Sequence, residues 1–219
     1  MKAAVCILTY NRKDLFLRTL SSLSNSGAGF TQILVDNGST DGTAEIVAGL
    51  GGICNQSDNH STGYGMNLAI NAALATDADL IIFSADDYEY RPDWLHKLIN
   101  FWQAAPADVA MATCHLEPQW SWNTVTETGD AGGQHYAIRK SIPGSNWTFR
   151  RENAGLILPI EEQTGGEDLE ICNRLKSQGL KLAALDLAAH TGEQHSAWGN
   201  ESWRYAKPFD YELHGFERL

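Results

Sequence analysis

The sequence predicts an open α/β fold whose sheet is mostly parallel and is covered by helices on both faces. Short apolar segments alternate with amphipathic helical segments through the first half of the chain. This alternation is typical of strand–helix–strand units, which cross over in the right-handed sense and build parallel sheets. Polar clusters also follow three of the predicted strands, and ligands of such folds collect at the carboxyl ends of the strands.

Each element predicted in the first half has a local reason. The strands are short apolar runs bounded by turn residues, and the helices repeat apolar residues at intervals of three and four. The predicted strands are Ala4–Thr9, Gln32–Asp36, Gly52–Asn55 and Asp79–Ser84. The predicted helices are Arg12–Ser24, Thr43–Leu50, Gly63–Ala75 and a segment from Pro92 to about Ala104. Ser39–Asp41 offer an N-cap for the second of these helices.

The second half of the chain is less regular. We expect strands at Asp108–Leu116, Ser145–Arg150 and Leu180–Ala184, and a helix at Gly166–Gln178 that ends at Gly179. Residues 117–149, rich in Trp, Thr, Gly and His, predict a loop that contains a strand pair. No linker interrupts the pattern, so residues 1–219 are expected to form a single domain with two functional halves, 1–105 and 106–219.

The composition excludes several classes of protein. With 219 residues, 43% of them hydrophobic, the chain is long enough to bury a sizeable core. Its formal net charge of −11 disfavours unspecific binding to nucleic acid or anionic lipid. No apolar run approaches the ~18–20 residues that cross a bilayer, and the apolar start is too short for a secretory leader. The Cys residues lack metal-site spacing and predict reduced thiols, so we expect a cytoplasmic protein without a transmembrane segment.

The candidate chemistry lies in the polar residues that directly follow three predicted strands. These clusters are residues 9–12, 36–42 and 84–87. Together at one edge of a sheet they suggest a ligand with a base, a ribose and phosphates. The adjacent carboxylates Asp86 and Asp87 repel each other unless a cation compensates them, which suits Mg²⁺ or Mn²⁺ bound together with substrate phosphates. A surface turn whose acids favour the start of the following helix is the alternative interpretation.

Five motifs, in this order and spacing, resemble glycosyltransferase family 2, the inverting enzymes with the GT-A fold. The motifs are Ala4–Arg12, Ile33–Thr43, the Gly-rich segment Asn59–Ile70, Asp86-Asp87 followed by Pro92–Leu95, and Gly165–Leu175 with its Glu-Asp pair. The resemblance extends over roughly residues 3–195. It implies a single GT-A-type domain in which residues 1–105 bind a nucleotide-diphosphate sugar. Residues 106–219 then form a smaller mixed region that binds the acceptor and carries the catalytic base.

The resemblance also implies roles for single residues. Asp168 is the general base that takes the proton of the acceptor hydroxyl, and Glu167 beside it orients the site. The donor-binding residues are Thr9, Tyr10, Asn11, Arg12, Asp36, Asn37, Gly38, Ser39, Gly63, Asn67 and Asp86. Acids that merely favour the start of a helix are the alternative interpretation of the Glu-Asp pair.

The metal site implied by the resemblance departs from the usual family pattern. Tyr88 stands where the family usually carries a further acidic ligand, so binding of Mn²⁺ or Mg²⁺ falls to Asp87, Asp86 and His190. An imidazole nitrogen beside carboxylate oxygens is acceptable to Mn²⁺. A capping or core role is the alternative interpretation of His190.

The acceptor side is less defined by the sequence. Trp147 and Arg150 are the expected substrate-binding residues, because the resemblance places their strand near the acceptor and an indole face suits a sugar. Core packing of Trp147 and a solvated surface for Arg150 are the alternatives. The segment Val35–Asp41 is similar to members that use UDP- or dTDP-linked sugars. The acceptor stays open between a glycan, a lipid-linked glycan, a protein and a modified nucleobase, and the sequence does not specify the oligomeric state.

Two other functions compete with a metal-assisted inverting glycosyltransferase. A catalytically weak or inactive module that binds sugar nucleotides or glycans is favoured by Tyr88 and opposed by the intact Glu167-Asp168 pair. A nucleotidyltransferase would need a Gly-rich phosphate loop directly after the first strand, and residues 9–14 contain no glycine.

Overall fold

Strands and helices alternate along the first half of the chain, as the sequence predicts. The computed structural model describes residues 1–55, 61–116, 123–162 and 165–190. The strands are β1 (Ala3–Thr9), β2 (Thr31–Asp36), β3 (Ile53–Cys54), β4 (Leu80–Ala85), β5 (Tyr88–Tyr90), β6 (Val109–Thr113), β7 (Val125–Ala131), β8 (Gln134–Arg139), β9 (Asn146–Arg150), β10 (Lys181–Ala184) and β11 (Ala188–His190). The α-helices are α1 (Lys13–Leu23), α2 (Thr43–Gly49), α3 (Thr62–Leu74), α4 (Trp94–Ala104), α5 (Ala154–Ile157) and α6 (Glu167–Ser177). Within the described residues, none of these helices has the length and apolar character needed to span a membrane.

Nine of these strands form one sheet in the order β3-β2-β1-β4-β9-β6-β10-β8-β7. The first four strands along the chain pair in parallel, as do β6 and β10. Strand β9 runs antiparallel to both of its neighbours, β4 and β6, and the β7–β8 hairpin lies antiparallel beside β10. The predicted fold class is therefore confirmed, with a parallel first half and a mixed second half. The two halves share one continuous sheet.

Two apolar layers cover the faces of this sheet. Alternate residues of a strand point to opposite faces. Val5 and Ile7 of β1 pack in the layer beneath α1 and α4, whereas Ala4 and Cys6 pack in the layer beneath α3 and α6. Burial on both faces explains why β1 reads as a continuous apolar run instead of an alternating one.

The β7–β8 hairpin turns at two glycines that have different surroundings. Gly132 and Gly133 both have positive φ, 56° and 76°. A two-residue hairpin turn of type I′ requires positive φ at both of its central residues. A Cβ on Gly132 would lie 1.9 Å from the carbonyl oxygen of Asn100 in α4, whereas nothing lies within 4 Å of a Cβ on Gly133. The turn is therefore pressed against α4 at Gly132 and open at Gly133.

Two local features differ from the sequence prediction. Strands β5 and β11 form a separate antiparallel pair that the sequence did not indicate, in which Tyr88 lies opposite His190. The predicted N-cap within Ser39–Asp41 is wrong, because Gly42 occupies the N-cap position of α2 with a φ of 92°. Asp41 acts from one residue earlier, where its Oδ1 accepts the N–H of Thr43 at 3.0 Å.

Candidate active site

The polar clusters predicted from the sequence meet at the carboxyl ends of β1, β2 and β4. The strand register places Thr9 beside Asp36, and β4 pairs with the other side of β1. The hydroxyl of Thr9 donates to Asp86 Oδ2 at 2.6 Å, and the N–H of Asn37 donates to the carbonyl of Thr9 at 2.9 Å. These bonds join the three strand ends into one polar edge.

Arg12 lies between the two adjacent carboxylates that follow β4. Its Nη1 donates to Asp86 Oδ1 at 3.1 Å and to Asp87 Oδ2 at 2.9 Å. The side chains of Asp86 and Asp87 are 3% and 0% exposed, and that of Arg12 is 18% exposed. Burial raises the pKa of Asp86 to about 6, a shift that the guanidinium of Arg12 opposes and the charge of Asp87 increases.

The loops after β1 and β2 are held together by side chain–main chain bonds. Asn11, which has a φ of 50°, donates its N–H to Ser39 Oγ at 2.8 Å and accepts the N–H of Thr40 at 2.7 Å. The N–H of Lys13 donates to Asp41 at 3.2 Å. The αL conformation of Asn11 is one that Asn tolerates better than most residues, and here it aims the amide across to the second loop. Asn11 and Ser39 thus shape the edge.

Asp36 has one carboxylate oxygen engaged and one without a partner. Its Oδ2 accepts the N–H groups of Gly38 and Ser39 at 3.0 and 2.9 Å. Its Oδ1 is buried and has no hydrogen-bond partner among the described residues. An unpartnered buried acceptor is costly, so this oxygen is suited to a donor that arrives with a ligand.

The Glu-Asp pair begins helix α6, as the sequence predicts. Gly165 and Gly166 precede it with φ values of 88° and 83°, a backbone turn that a residue with a Cβ rarely adopts. Asp168 Oδ1 accepts the N–H of Leu169 at 2.8 Å, and its Oδ2 accepts the N–H of Gly144 at 3.2 Å. A Cβ on Gly144 would lie 3.0 Å from Asp168 Cβ, so the approach of these two segments is close.

A short segment before β9 connects Asp168 with the polar edge. Gly144 contacts Asp168, and the carbonyl of the next residue, Ser145, accepts the N–H of Ala85 at 2.7 Å. Ala85 directly precedes Asp86. The Ser145 hydroxyl also bonds the hydroxyl of Tyr88 at 2.6 Å. The second half of the chain thus places Asp168 at the same edge of the sheet as the carboxylate pair. Gly144 and Ser145 are not among the site residues predicted from the sequence, although Pro-Gly-Ser is a turn signal.

Burial shifts the protonation of the Glu-Asp pair. Glu167 is 8% exposed, and burial together with the charge of Asp168 raises its pKa to about 7. Burial also raises the pKa of Asp168, against the N–H groups of Leu169 and Gly144, which favour its ionised form. The two neighbours are thus a pair in which one carboxyl retains its proton to a higher pH than usual.

Replacing Glu167 with Gln should flatten the pH dependence of stability. Because the folded state binds the Glu167 proton more tightly than the unfolded state does, stability should fall as pH rises from about 4.5 to about 7. The loss should be on the order of 1–3 kcal/mol. Chemical denaturation at each pH measures the slope, and the exposed Glu161→Gln variant should retain it. Parallel profiles for wild type and Glu167→Gln would contradict the assignment.

The two predicted substrate-binding residues have other partners. Trp147 is fully buried and packs against Phe83 with ring centroids 6.3 Å apart, so its indole face belongs to the core. Arg150 pairs with Leu80 at the opposite end of β4, where its Nη2 donates to the carbonyl of Trp102 at 2.7 Å. Trp147 thus has the core position that was its alternative interpretation, and Arg150 lies far from the carboxylates because β9 runs antiparallel to β4.

Two donor-binding residues expected from the Gly-rich segment also have other partners. The amide of Asn67 donates to the carbonyl of Ile160 at 2.7 Å and accepts its N–H at 2.9 Å, so this side chain ties α3 to the segment after α5. Gly63 is buried in the first turn of α3. The amide of Asn37 reaches the carbonyl of Ser61 at 3.5 Å, and Tyr10 is half-buried at the end of β1.

The backbone of His190 lies opposite Tyr88 in the β5–β11 pair, and Tyr88 directly follows Asp87 in the chain. Its side chain lies outside the described part of the chain, as do Trp120, Trp122 and residues 191–219. Tyr88 itself is fully buried and points to Ser145. Within the described residues, no group of three or more His, Cys, Asp or Glu side chains is arranged to hold a metal ion.

Comparison with protein families decides the identity of this architecture. The model of glycosyl transferase family 2 matches residues 4–153. The chain belongs to glycosyl transferase family 2. The matched region of this family 2 chain contains β1 to β9 and the Asp86–Asp87 pair, and it ends before Glu167-Asp168. Comparison with curated proteins gave no match.

Solved structures share the fold of this family 2 chain. One is the mannosyltransferase PcManGT from Pyrobaculum calidifontis in complex with GDP-Man and Mn²⁺, with a TM-score of 0.60 and 17% sequence identity. The match covers 90% of this chain and 59% of PcManGT. GalNAc-T7, with UDP, GalNAc and Mn²⁺, gives 0.65 at 13% identity, with 85% and 43% covered. S. aureus TarS 1-349, with UDP-GlcNAc, gives 0.60 at 16% identity, with 85% and 56% covered. The chain thus has the GT-A fold and spans about half the length of these proteins.

Proposed function

We propose that this chain transfers a sugar from a nucleotide-diphosphate sugar to an acceptor hydroxyl, with inversion at the anomeric carbon and with Asp168 as the general base. The observation that carries the proposal is the contact of Asp168 with Gly144, next to Ser145, which bonds the strand end before Asp86. Asp168, which is half-buried, thus lies at the same edge of the sheet as the carboxylate pair. Family membership supports the reaction class.

The donor nucleotide lies, in this proposal, across the ends of β1 and β2. The buried Oδ1 of Asp36 accepts a ring N–H of the base, which uracil and thymine both offer. Thr9, Tyr10, Asn11 and the loop Asn37–Ser39 surround the same position. UDP- and dTDP-linked sugars are therefore the favoured donors.

A divalent cation fits the carboxylate pair. Two carboxylates share one guanidinium, and their oxygens are the donors that Mg²⁺ and Mn²⁺ prefer. Asp87 and Asp86, with His190 from the facing strand β11, would hold the ion. A bound ion would supply Lewis-acid stabilisation of the departing diphosphate.

The remaining roles belong to the chain itself. The N–H groups of Leu169 and Gly144 fix the orientation of the Asp168 carboxylate. This carboxylate accepts the proton of the acceptor hydroxyl, which attacks the anomeric carbon from the face opposite the leaving group. Glu167, directly beside that carboxylate in the chain, orients the site. One in-line displacement then inverts the anomeric centre. Glycans, lipid-linked glycans, proteins and modified nucleobases all offer a suitable hydroxyl, and we place the reaction in the cytoplasm.

Thermal unfolding against UDP, dTDP, GDP and CDP, each with and without Mn²⁺, tests this proposal. A nucleotide at about 100 times its dissociation constant should add ~2.7 kcal/mol of stability. We expect UDP or dTDP to raise the melting temperature, and Mn²⁺ to increase the shift. The variant Asp36→Asn should lose the shift, because its amide can still accept the N–H groups of Gly38 and Ser39 while presenting a donor in place of the free oxygen.

The outcome also separates the proposal from its competitor. A nucleotide shift without transfer to any acceptor would favour the alternative, a module of the same fold that binds sugar nucleotides or glycans without turning them over. The absence of a shift with all four nucleotides would contradict the donor assignment.

A further inference from the structure

Arg12 compensates the candidate metal site from within the chain. A single nitrogen, Nη1, lies 3.1 Å from Asp86 Oδ1 and 2.9 Å from Asp87 Oδ2. It therefore occupies the position between the two carboxylates where opposite charge is most effective. The guanidinium thus brings a positive charge to this position.

The backbone around Arg12 holds this bridge in place. Arg12 occupies the N-cap position of α1 with a φ of −142°, and its side chain makes no cap hydrogen bond, because a guanidinium has no acceptor for a helix N–H. Its neighbour Asn11 is fixed by Ser39 and Thr40. The base of the side chain is thus anchored to the second loop while its tip reaches the end of β4.

The buried carboxylates explain why a bridge is needed. Asp87 is fully buried and Asp86 nearly so, and two adjacent buried charges of the same sign destabilise a fold unless a cation or donors offset them. Thr9 supplies one donor to Asp86. Arg12 supplies the charge, so that the pair can be assembled before any ion arrives.

We propose that Arg12 is a positioning residue that acts as an internal counter-cation: it assembles the Asp86–Asp87 pair without metal and thereby weakens the affinity of the pair for a divalent cation. The inference rests on the proposed function, in which these carboxylates bind Mn²⁺ or Mg²⁺. Two opposite effects follow from one charge. Removing it destabilises the metal-free protein and strengthens metal binding.

Titration of the purified protein with Mn²⁺, followed by the electron paramagnetic resonance signal of the free ion, tests both effects without a donor or an acceptor. We expect Arg12→Met to bind Mn²⁺ about tenfold more tightly than wild type, which is ~1.4 kcal/mol. Its melting temperature in EDTA should be lower than that of wild type. Saturating Mn²⁺ should raise the melting temperature of the variant by more than it raises that of wild type.

Two further variants control the experiment. Arg18→Met removes the same charge six residues later in the chain, but Arg18 pairs with the exposed Glu89, so Mn²⁺ affinity should stay at the wild-type value. Arg12→Gln keeps a hydrogen-bond donor without the charge and should also bind Mn²⁺ more tightly, which keeps the test valid if Arg12→Met does not fold.

The failure of this inference is distinct from the failure of the proposed function. If wild type binds Mn²⁺ and both Arg12 variants bind it equally or more weakly, Arg12 is not a counter-cation to the metal and the inference is overturned. If neither wild type nor the Arg12 variants bind Mn²⁺, the proposed metal site fails as well. An equal gain in Arg18→Met would assign the effect to net charge and overturn the specific role.

Discussion

Replacing Asp168 with Asn should lower the rate of sugar transfer by about 10²–10⁴-fold, the range that a general base contributes. Asparagine has the same shape, so its oxygen can still accept one of the two N–H groups that hold the side chain. It cannot take a proton from the acceptor hydroxyl. In the proposed function the nucleotide binds at the ends of β1, β2 and β4, so UDP or dTDP should still raise the melting temperature of the variant.

The control for this prediction lies on the same helix. Glu170 lies two residues after Asp168 and forms an ion pair with Arg174, one helical turn further along α6, at 2.7 Å. Glu170→Gln therefore replaces a carboxylate by an amide at a side chain that is already engaged by Arg174. We expect its transfer rate to remain near that of wild type. Transfer at the wild-type rate in Asp168→Asn would remove Asp168 from the role of base, and Glu167 would become the next carboxylate to substitute.

Replacing Gly132 with Ala should destabilise the fold by about 3 kcal/mol or more, because overpacking adds to backbone strain. The new Cβ would lie 1.9 Å from the Asn100 carbonyl, which belongs to the backbone of α4 and cannot rotate away. The residue would also have to keep a φ of 56°. For a chain of this size, about 3 kcal/mol corresponds to roughly 6–12 °C in melting temperature.

The neighbouring glycine separates the two causes. Gly133 has a positive φ of 76° but nothing within 4 Å of its added Cβ. Gly133→Ala should therefore cost only the strain of a left-handed residue, about 1 kcal/mol. Equal losses in the two variants, measured by thermal and chemical unfolding, would show that backbone conformation rather than the contact with α4 dominates.

The sequence predicts the parallel half of the fold because each strand there is a local signal. The apolar runs Ala4–Thr9 and Asp79–Ser84 predict strands whose ends agree with β1 and β4 to within one residue. The pattern also predicts that the polar residues at the ends of these strands meet. The pairing of β5 with β11 joins residues far apart in the chain. Three-residue strands carry too little periodicity to show in a sequence pattern.

The candidate site divides along the same line. Thr9, Asp36 and Asp86 could be placed from the sequence because each follows its strand directly. Trp147 could not, because the direction in which β9 enters the sheet decides which of its side chains are buried, and that direction depends on long-range pairing. The bridge made by Arg12 likewise depends on rotamers and on the distance between two loops, which spacing alone does not give.

The insertion of β9 between β4 and β6 has a consequence for synthesis on the ribosome. Strand β4 is completed at Ala85, yet the strand that covers its free edge is made only when Asn146–Arg150 emerges. Until then the nascent chain presents an apolar edge, Leu80–Phe83, with unpaired main-chain groups, which is the kind of edge that associates with other chains. The part of the sheet formed by β1 to β4 therefore stays open at one edge until β9 is made.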